Sequence, residues 1–421
     1  MSSPRAVSER AVVFLIGAVQ FVNILDFVMV MPLGPDLAEG LGIATSHIGT
    51  IGAAYTAAAS VAGVVGSYFL DRFDRRKALA VAMLGLVVGT AAGGLATGLT
   101  SLLVARALAG LFGGPATSLA MSIIADLIPV ERRGRAMGAV MGAFSVASVL
   151  GIPLALKVAR WADWRMPFFA VAGLGLLLVA GAIFYLPPIR GHLERQRGPV
   201  VSVRDLFTRK DVLLSYSMTA LLNMASFVII PNISGYVQRN LGYPREELEV
   251  IYFVGGLVSF VTLRAAGKAV DALGSFRVGT VGAAMFIGTL YVCFIHLPAG
   301  MPLVVVFACF FLSNGVRNVA HSTLTSRVPE QSFRARFMSF QSAVQHMGAA
   351  LGAFLSSRML TDLPGGQLGG MNRVVLVSMG LTFMTPVMFF LVERRVLARD
   401  RASAASLGGI AAAPGGSTPR P

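Results

Sequence analysis

Apolar stretches of about 20 residues recur along nearly the whole chain, separated by short segments in which the polar residues collect. At a rise of 1.5 Å per residue, one such stretch is about long enough to cross a hydrocarbon core of roughly 30 Å as a helix. The pattern predicts twelve spans, near residues 11–32, 49–70, 78–98, 102–125, 136–158, 167–187, 212–238, 250–270, 276–297, 302–326, 337–360 and 374–393. Most connections are short. The exception runs from Pro188 to Asp211, is hydrophilic, and carries Arg190, Arg195, Arg197, Arg204, Arg209 and Lys210. It divides six helices from six. The predicted organisation is therefore an N-terminal six-helix bundle over 1–187, a cytoplasmic central loop over 188–211, a C-terminal bundle over 212–393 and a disordered tail over 394–421, whose end is rich in Ala, Gly and Pro.

Composition supports an all-α membrane protein. Of the 421 residues 55% are hydrophobic and only 13% charged, far too little charge to clothe a soluble chain of this size. The net charge of +15 raises the question of nucleic-acid binding, but Lys and Arg fall in alternate connections, as the positive-inside rule demands of a multi-pass protein. That alternation places both termini in the cytoplasm and the protein in the plasma (cytoplasmic, inner) membrane, with lipid rather than nucleic acid around it. Cys293 and Cys309 lie inside apolar stretches, so neither a disulfide framework nor a metal site is expected. No cleaved signal peptide is expected either, since the first span after Arg10 is too long and lacks a small-residue cleavage site.

The halves echo one another. Asp71 follows the second span and Asp271 the eighth, 200 positions apart, and Pro129 and Pro329 repeat the offset. Duplicated six-helix units are a feature of secondary transporters that bind substrate between the repeats. Twelve spans, the basic central loop and the stretch Asp71-Arg72-Phe73-Asp74-Arg75-Arg76 resemble the major facilitator superfamily over about residues 10–394. Arg106-Ala107-Leu108-Ala109-Gly110 resembles the Arg-x-x-x-Gly motif of its twelve-helix drug:proton antiporter branch. Gly151-Ile152-Pro153, followed by Trp164-Arg165-Met166-Pro167-Phe168, resembles that branch's span-five and span-six signatures. Ser67 and Asp74 stand where the loop signature usually has Gly, and Leu154-Ala155-Leu156 lacks the glycines that usually follow the proline. The resemblance implies the superfamily fold, with twelve helices in two pseudo-symmetric bundles. It also implies that Asp71, with Arg72, Arg75, Arg76 and the repeat copy Asp271, takes part in cytoplasmic gating, that Asp126 and Arg133 join the same latch, and that Gly151 and Pro153 let span five bend.

Asp26 is the one acidic residue well inside a predicted span. A lone carboxyl in hydrocarbon must be protonated, paired or facing water. Packing glue is the plain alternative to a proton-coupling role, which is preferred here. Gln20, Asn23 and Asp26 follow at spacings of three and share a helix face. Asp26 lies six residues from the outer end of span one and Arg106 five residues into span four, so both sit roughly 8–9 Å below the outer boundary. The alternative for Arg106 is snorkelling to the outer headgroups. The resemblance implies proton transfer for the span-four Arg and substrate or proton binding for the span-one acid.

Asn314, Arg317, Asn318 and His321 fall at i, i+3, i+4 and i+7 of span ten and predict one polar face, either substrate-binding or interhelical glue. The counter-charge of Arg317 is Asp26 across the cavity or an anionic group on the substrate. Gln341 and Gln345 share a face of span eleven; Asn223 and Asn232 add polar atoms in span seven. His321 and His346 are candidate relay members or neutral hydrogen-bonding groups. Phe227, Phe253, Phe310 and Phe340 are candidates to surround an apolar ligand.

The reading that follows is a monomeric, proton-coupled secondary transporter, not an enzyme, that exports a small drug-like or metabolic compound. It needs no cofactor or metal, because no nucleotide-binding motif or metal cluster is evident. Import of a small carboxylate or sugar is the alternative, and a non-transporting membrane sensor a more distant one.

Overall fold

A computed structural model describes residues 8–190, 207–330 and 334–411. Side chains at 67–69, 71, 130, 335 and 402–411 are outside the description, as is most of the expected central loop. The first four long helices are α1 (Glu9–Met29), α2 (Ile48–Phe69), α3 (Arg75–Gly94) and α4 (Leu99–Leu127). Next come α5, assembled from Val130–Met141, Ala143–Val146, a π-helical Ala147–Gly151 and Ile152–Trp161, and α6 (Met166–Tyr185). The second half comprises α7 (Lys210–Phe227), α8 (Leu248–Leu273), α9 (Ser275–Phe294), α10 (Leu303–Ser326), α11 (Arg334–Met359) and α12 (Met371–Ala411). Eleven of the helical stretches among the described residues are long and apolar enough to cross a membrane. The remaining helix, α11, spans 26 residues but carries Arg334, Arg336, Gln341, Gln345, His346 and Arg358. Its polarity has a physical reason, because α11 packs between α2 and α7 rather than facing lipid on all sides.

The packing obeys a six-helix offset. The neighbours α1–α6, α2–α4, α3–α4 and α3–α6 recur as α7–α12, α8–α10, α9–α10 and α9–α12. The halves meet along two related seams, α2 on α11 and α5 on α8. Twelve helices in two pseudo-symmetric bundles are thus the architecture, and twelve crossings bring both ends of the chain to one side. The opposite side, with the α1–α2 and α7–α8 connections, is called here the distal end.

Small residues set the seams. A Cβ at Gly256 of α8 would stand 2.8 Å from the Cα and N of Val149, inside the π-helical turn of α5. That turn arises beside Pro153, which has no N–H to give an ordinary helical bond, and the Ile152 N–H reaches back to Ala147 O instead.

Three expected boundaries change. The fifth span is interrupted by this π turn and reaches from Val130 to Trp161. The seventh breaks after Phe227 at a 3-10 turn, Ile230–Asn232 around Pro231, and resumes as a short helix, Ile233–Arg239. The last helix runs to Ala411, well past the expected limit at 393, because 394–411 is rich in Ala, Leu and Arg and meets no Pro before Pro414.

Candidate functional site

Asp26 and Arg106 meet in the N-terminal bundle. Arg106 Nη1 donates to Asp26 Oδ1 at 2.9 Å and Nη2 to the Asp26 carbonyl at 3.1 Å, with the Asp26 and Arg106 side chains 0% and 1% exposed. Arg106 therefore does not snorkel. Thr90 of α3 donates to the same Oδ1 at 2.7 Å, whereas the buried Oδ2 has no partner. The Arg106 guanidinium lies 4.7 Å from the centre of the Tyr55 ring on α2. Tyr55 in turn donates to Asn23 Oδ1 at 3.0 Å, and Asn23 Nδ2 donates to Gly113 O and to Thr117 Oγ1, at 2.8 and 2.6 Å. A single polar network thus joins α1, α2, α3 and α4. The glycine of the Arg-x-x-x-Gly motif builds it: a Cβ on Gly110 would collide with the Tyr55 carbonyl, so only glycine lets α4 close on α2 at this level.

The C-terminal bundle is organised differently. Arg317 is fully buried and donates to Thr382 Oγ1 at 3.1 Å, Ser226 Oγ at 2.7 Å and, more weakly, Asn314 Oδ1 at 3.5 Å. Its guanidinium stands 3.9 Å from the centre of the Phe286 ring. Asp26 is not its counter-charge, since Arg106 holds Asp26 in the other half. Asn314, Arg317 and His321 of span ten all bond residues of α7. His321 turns to Thr219, their Nε2 and Oγ1 2.8 Å apart, and Thr219 also accepts a hydrogen bond from Gln341. Asn223 donates to the Thr219 carbonyl at 2.9 Å, and Asn232 to Ser356 Oγ at 3.0 Å. Asn318 and Gln345 are exposed. His346 and Phe227 are half-buried, Phe310 and Phe340 buried, and Phe253 exposed. Phe227 stacks on Phe27 across the halves at 5.9 Å between ring centres, and Phe27 stacks on Tyr55 at 5.1 Å.

Two of the expected gating residues, Arg75 and Asp126, meet at 2.6 Å. The Asp71 side chain lies outside the described residues; Arg72 and Asp271 are exposed. Asp126 pairs with Arg75 because α3 begins beside the end of α4. Arg132 pairs with Glu9 at 3.1 Å, and Arg133 donates to Ile128 O at 3.4 Å. Arg76 donates to the carbonyls of Ile183 and Leu186. Gly151 lies against Leu25, where a Cβ would come within 2.8 Å of its Cδ1, and Pro153 follows the π turn. Asp74, noticed in the sequence only as a departure from a motif, caps α3 by accepting from Arg76 N–H at 3.0 Å, and also accepts from Ile189 N–H and Arg190 Nε. Burial pushes its acidity in the opposite direction, but these hydrogen bonds and the Arg190 charge win and hold the carboxyl below the usual carboxylate value.

A set of contacts that the sequence did not reveal closes the distal end. Arg245 donates Nε and Nη2 to both oxygens of Asp36, at 2.9 and 2.7 Å for the shorter bond of each, and reaches Leu156 O at 3.4 Å. Arg239 pairs with Glu39 at 3.2 Å. Asp362 accepts from the Thr45 and Ser46 N–H groups at the start of α2, at 2.9 and 3.4 Å, and from Ser46 Oγ at 2.5 Å, an anion set against a helix N-terminus. Each bond ties one half to the other. Also hidden from sequence reasoning were Tyr55, Thr90, Ser226 and Thr382. The signal available for Ser226 was its place 200 positions after Asp26, matched by Asn223 after Asn23 and Phe227 after Phe27.

Comparison with known proteins agrees with this architecture. A family profile described as Major Facilitator Superfamily matches residues 16–353. A chloramphenicol resistance protein of Streptomyces lividans is 26% identical over 361 residues, covering 84% of this chain and 91% of that protein. Among solved structures, a D-xylose-proton symporter aligns with a TM-score of 0.75 at 16% identity, covering 90% of this chain and 97% of the other. A bacterial homologue of the human lysosomal transporter Spinster, in an inward-facing and occupied conformation, aligns at 0.74 and 15%, covering 91% and 96%.

Proposed function

The chain belongs to the major facilitator superfamily of membrane transporters, and from that membership we propose that it is a monomeric, proton-coupled carrier exporting a small organic compound by alternating access. Its main support is the Asp26–Arg106 pair: a fully buried carboxylate with one oxygen held by Arg106 and Thr90 and the other left without a partner. An unmatched buried acceptor is costly, and a proton on Oδ2 turns it into a donor and cancels the charge that binds Arg106. The name of the Streptomyces lividans relative favours export, since removal of a compound from the cell confers resistance to it.

In this scheme both termini are cytoplasmic and the distal end faces outward. Residues 1–187 and 212–393 are the rocking units, joined by 188–211. Substrate binds from the cytoplasm between the halves, beside Asn23, Asn223, Asn314, Arg317, His321 and Gln341, with Asn318 and Gln345 at the rim and Asn232 in the distal part of the seam. The Asp36–Arg245, Glu39–Arg239 and Asp362–α2 contacts then part, an external proton reaches Asp26, Arg106 is freed, and substrate leaves. On return, Arg106 recaptures the carboxylate and expels the proton inward. The Asp71 loop, with Arg75–Asp126, forms the opposing gate, and α5 flexes at Gly151–Pro153.

The test is flux in liposomes of the purified protein. A pH gradient should drive substrate against its concentration in the wild type, and Asp26→Asn should retain downhill exchange while losing gradient-driven accumulation. Flux in the wild type that ignores the gradient sinks the proposal.

A further inference from the structure

The repeat exposes an asymmetry of charge. Asn23, Asp26 and Phe27 correspond, 200 positions on, to Asn223, Ser226 and Phe227. The N-terminal bundle thus encloses a neutralised pair, Asp26 with Arg106, at 2.9 Å. The C-terminal bundle encloses Arg317, while the position equivalent to the carboxylate is a serine. Among the described residues no carboxylate pairs with Arg317; its acceptors Ser226, Asn314 and Thr382 are all neutral, and its buried Nε has none. A guanidinium keeps its proton in a protein, so this cation cannot be neutralised by releasing it. The Phe286 ring at 3.9 Å softens the burial but supplies no anion.

The unmatched charge borders the seam between the halves. Ser226, which accepts from Arg317 Nη2 at 2.7 Å and donates to Asn314 Oδ1 at 3.1 Å, precedes Phe227, and Phe227 stacks on Phe27 of the opposite half. Asn314 is only half-buried. Ser226 and Asn314 both accept from Nη2, so a ligand that displaced their oxygens would meet Nη2–H beside the unpartnered Nε–H, the side-on fork that matches a carboxylate.

We propose that Arg317, with Ser226 and Asn314, receives a carboxylate-type anionic group on the transported compound, whose aromatic body lies against the Phe27–Phe227 pair. The ligand completes in the C-terminal bundle the ion pair that Asp26 completes in the N-terminal one. The inference rests on the proposed transport function for the location of the ligand, but not on its direction or its coupling to protons.

The experiment measures thermal stability and binding of the full-length protein in detergent with benzoate, 4-nitrobenzoate and 2-naphthoate, against the three matching amides. The carboxylates should stabilise the wild type and bind about tenfold or more tightly than the amides. Ser226→Asp places a resident carboxylate on Arg317, so it should raise the melting temperature without ligand and weaken carboxylate binding about tenfold or more. Equal binding of acids and amides, binding of neither, or carboxylate binding unchanged in a folded Ser226→Asp protein would overturn it. Should Ser226→Asp fail to fold, the acid–amide comparison on the wild type decides alone. Because binding is read without a membrane gradient, loss of pH-driven flux with carboxylate binding intact refutes only the coupling mechanism, and the converse refutes only the anion site.

Discussion

Removing Arg245 should open the distal end. Its side chain makes a two-pronged bond to Asp36, at 2.9 and 2.7 Å, with only 18% and 25% of the two side chains exposed, and it braces Leu156 O as well. A hydrogen bond to a charged group contributes about 1.5–3 kcal/mol when well shielded, and exposed ion pairs well under 1. Discounted for its partial exposure, this pair contributes about 1–2 kcal/mol to the closed arrangement, so Arg245→Ala should shift the closed-to-open ratio by roughly 5- to 30-fold. A reporter cysteine at Ser357 reads the shift, since Ser357 is 9% exposed and lies against Gly49 on the α2–α11 seam. With Cys293 and Cys309 replaced by Ser, a membrane-impermeant thiol reagent added outside should label Ser357→Cys several-fold to about 30-fold faster once Arg245 is Ala. The exchanged pair Asp36→Arg with Arg245→Asp should restore slow labelling. Unchanged labelling in Arg245→Ala, or fast labelling in the exchanged pair, would refute the assignment of these contacts as the distal closure.

Gly110→Val should prevent α4 from seating on α2, because its Cβ would collide with the Tyr55 carbonyl; the expected loss is about 1–3 kcal/mol, seen as a lower melting temperature, with Gly138→Val, whose Cβ has open space, as the near-neutral control. Asp74 is predicted to govern acid stability on the side of the chain termini. Its carboxyl is held below its ordinary value in the folded protein, so its contribution is present above the unfolded value and disappears as pH falls through the folded one. Asp74→Asn should therefore lower the melting temperature near neutral pH and flatten its fall below about pH 4. A wild-type acid limb retained unchanged in the variant would contradict it.

The depth of a residue along its own helix was readable from sequence, and its azimuthal neighbours were not. Counting residues from the ends of spans one and four placed Asp26 and Arg106 on a level, because helical rise is fixed at 1.5 Å per residue. Thr90 and Tyr55 escaped notice because they arrive from α3 and α2, and ordinary hydroxyls in apolar helices carry no sign of what they will touch. The polar spacing on α10 marks a face on which Asn314, Arg317 and His321 all bond α7, through Ser226 and Thr219, while the longer Arg317 also reaches Thr382 of α12 and the Phe286 ring of α9, neighbours that the spacing does not reveal. Hydropathy likewise passes over backbone irregularities, so the π turn of α5 and the break at Ile230–Asn232 read as uninterrupted spans. The distal ion pairs were hidden for another reason. Asp36 and Arg245 stand in different connections, 209 positions apart, and nothing in either connection marks the other as its partner.

The unpaired charge on Arg317 also bears on how a membrane potential would act on the proposed cycle. A charge that crosses the entire membrane field exchanges about 2.3 kcal/mol per 100 mV, and one that shifts through part of the field exchanges that fraction. In the proposed cycle, a rocking stroke made with Asp26 ionised would move the N-terminal pair as a dipole of no net charge, whereas the C-terminal bundle would carry one positive charge with it. An unloaded carrier with Asp26 ionised would therefore be electrophoretic: in the proposed orientation an inside-negative potential would draw Arg317 toward the cytoplasm and resist the stroke that carries it outward. A bound anion would cancel that charge and make the loaded stroke indifferent to voltage, so the membrane potential would act as a brake on empty cycles alone.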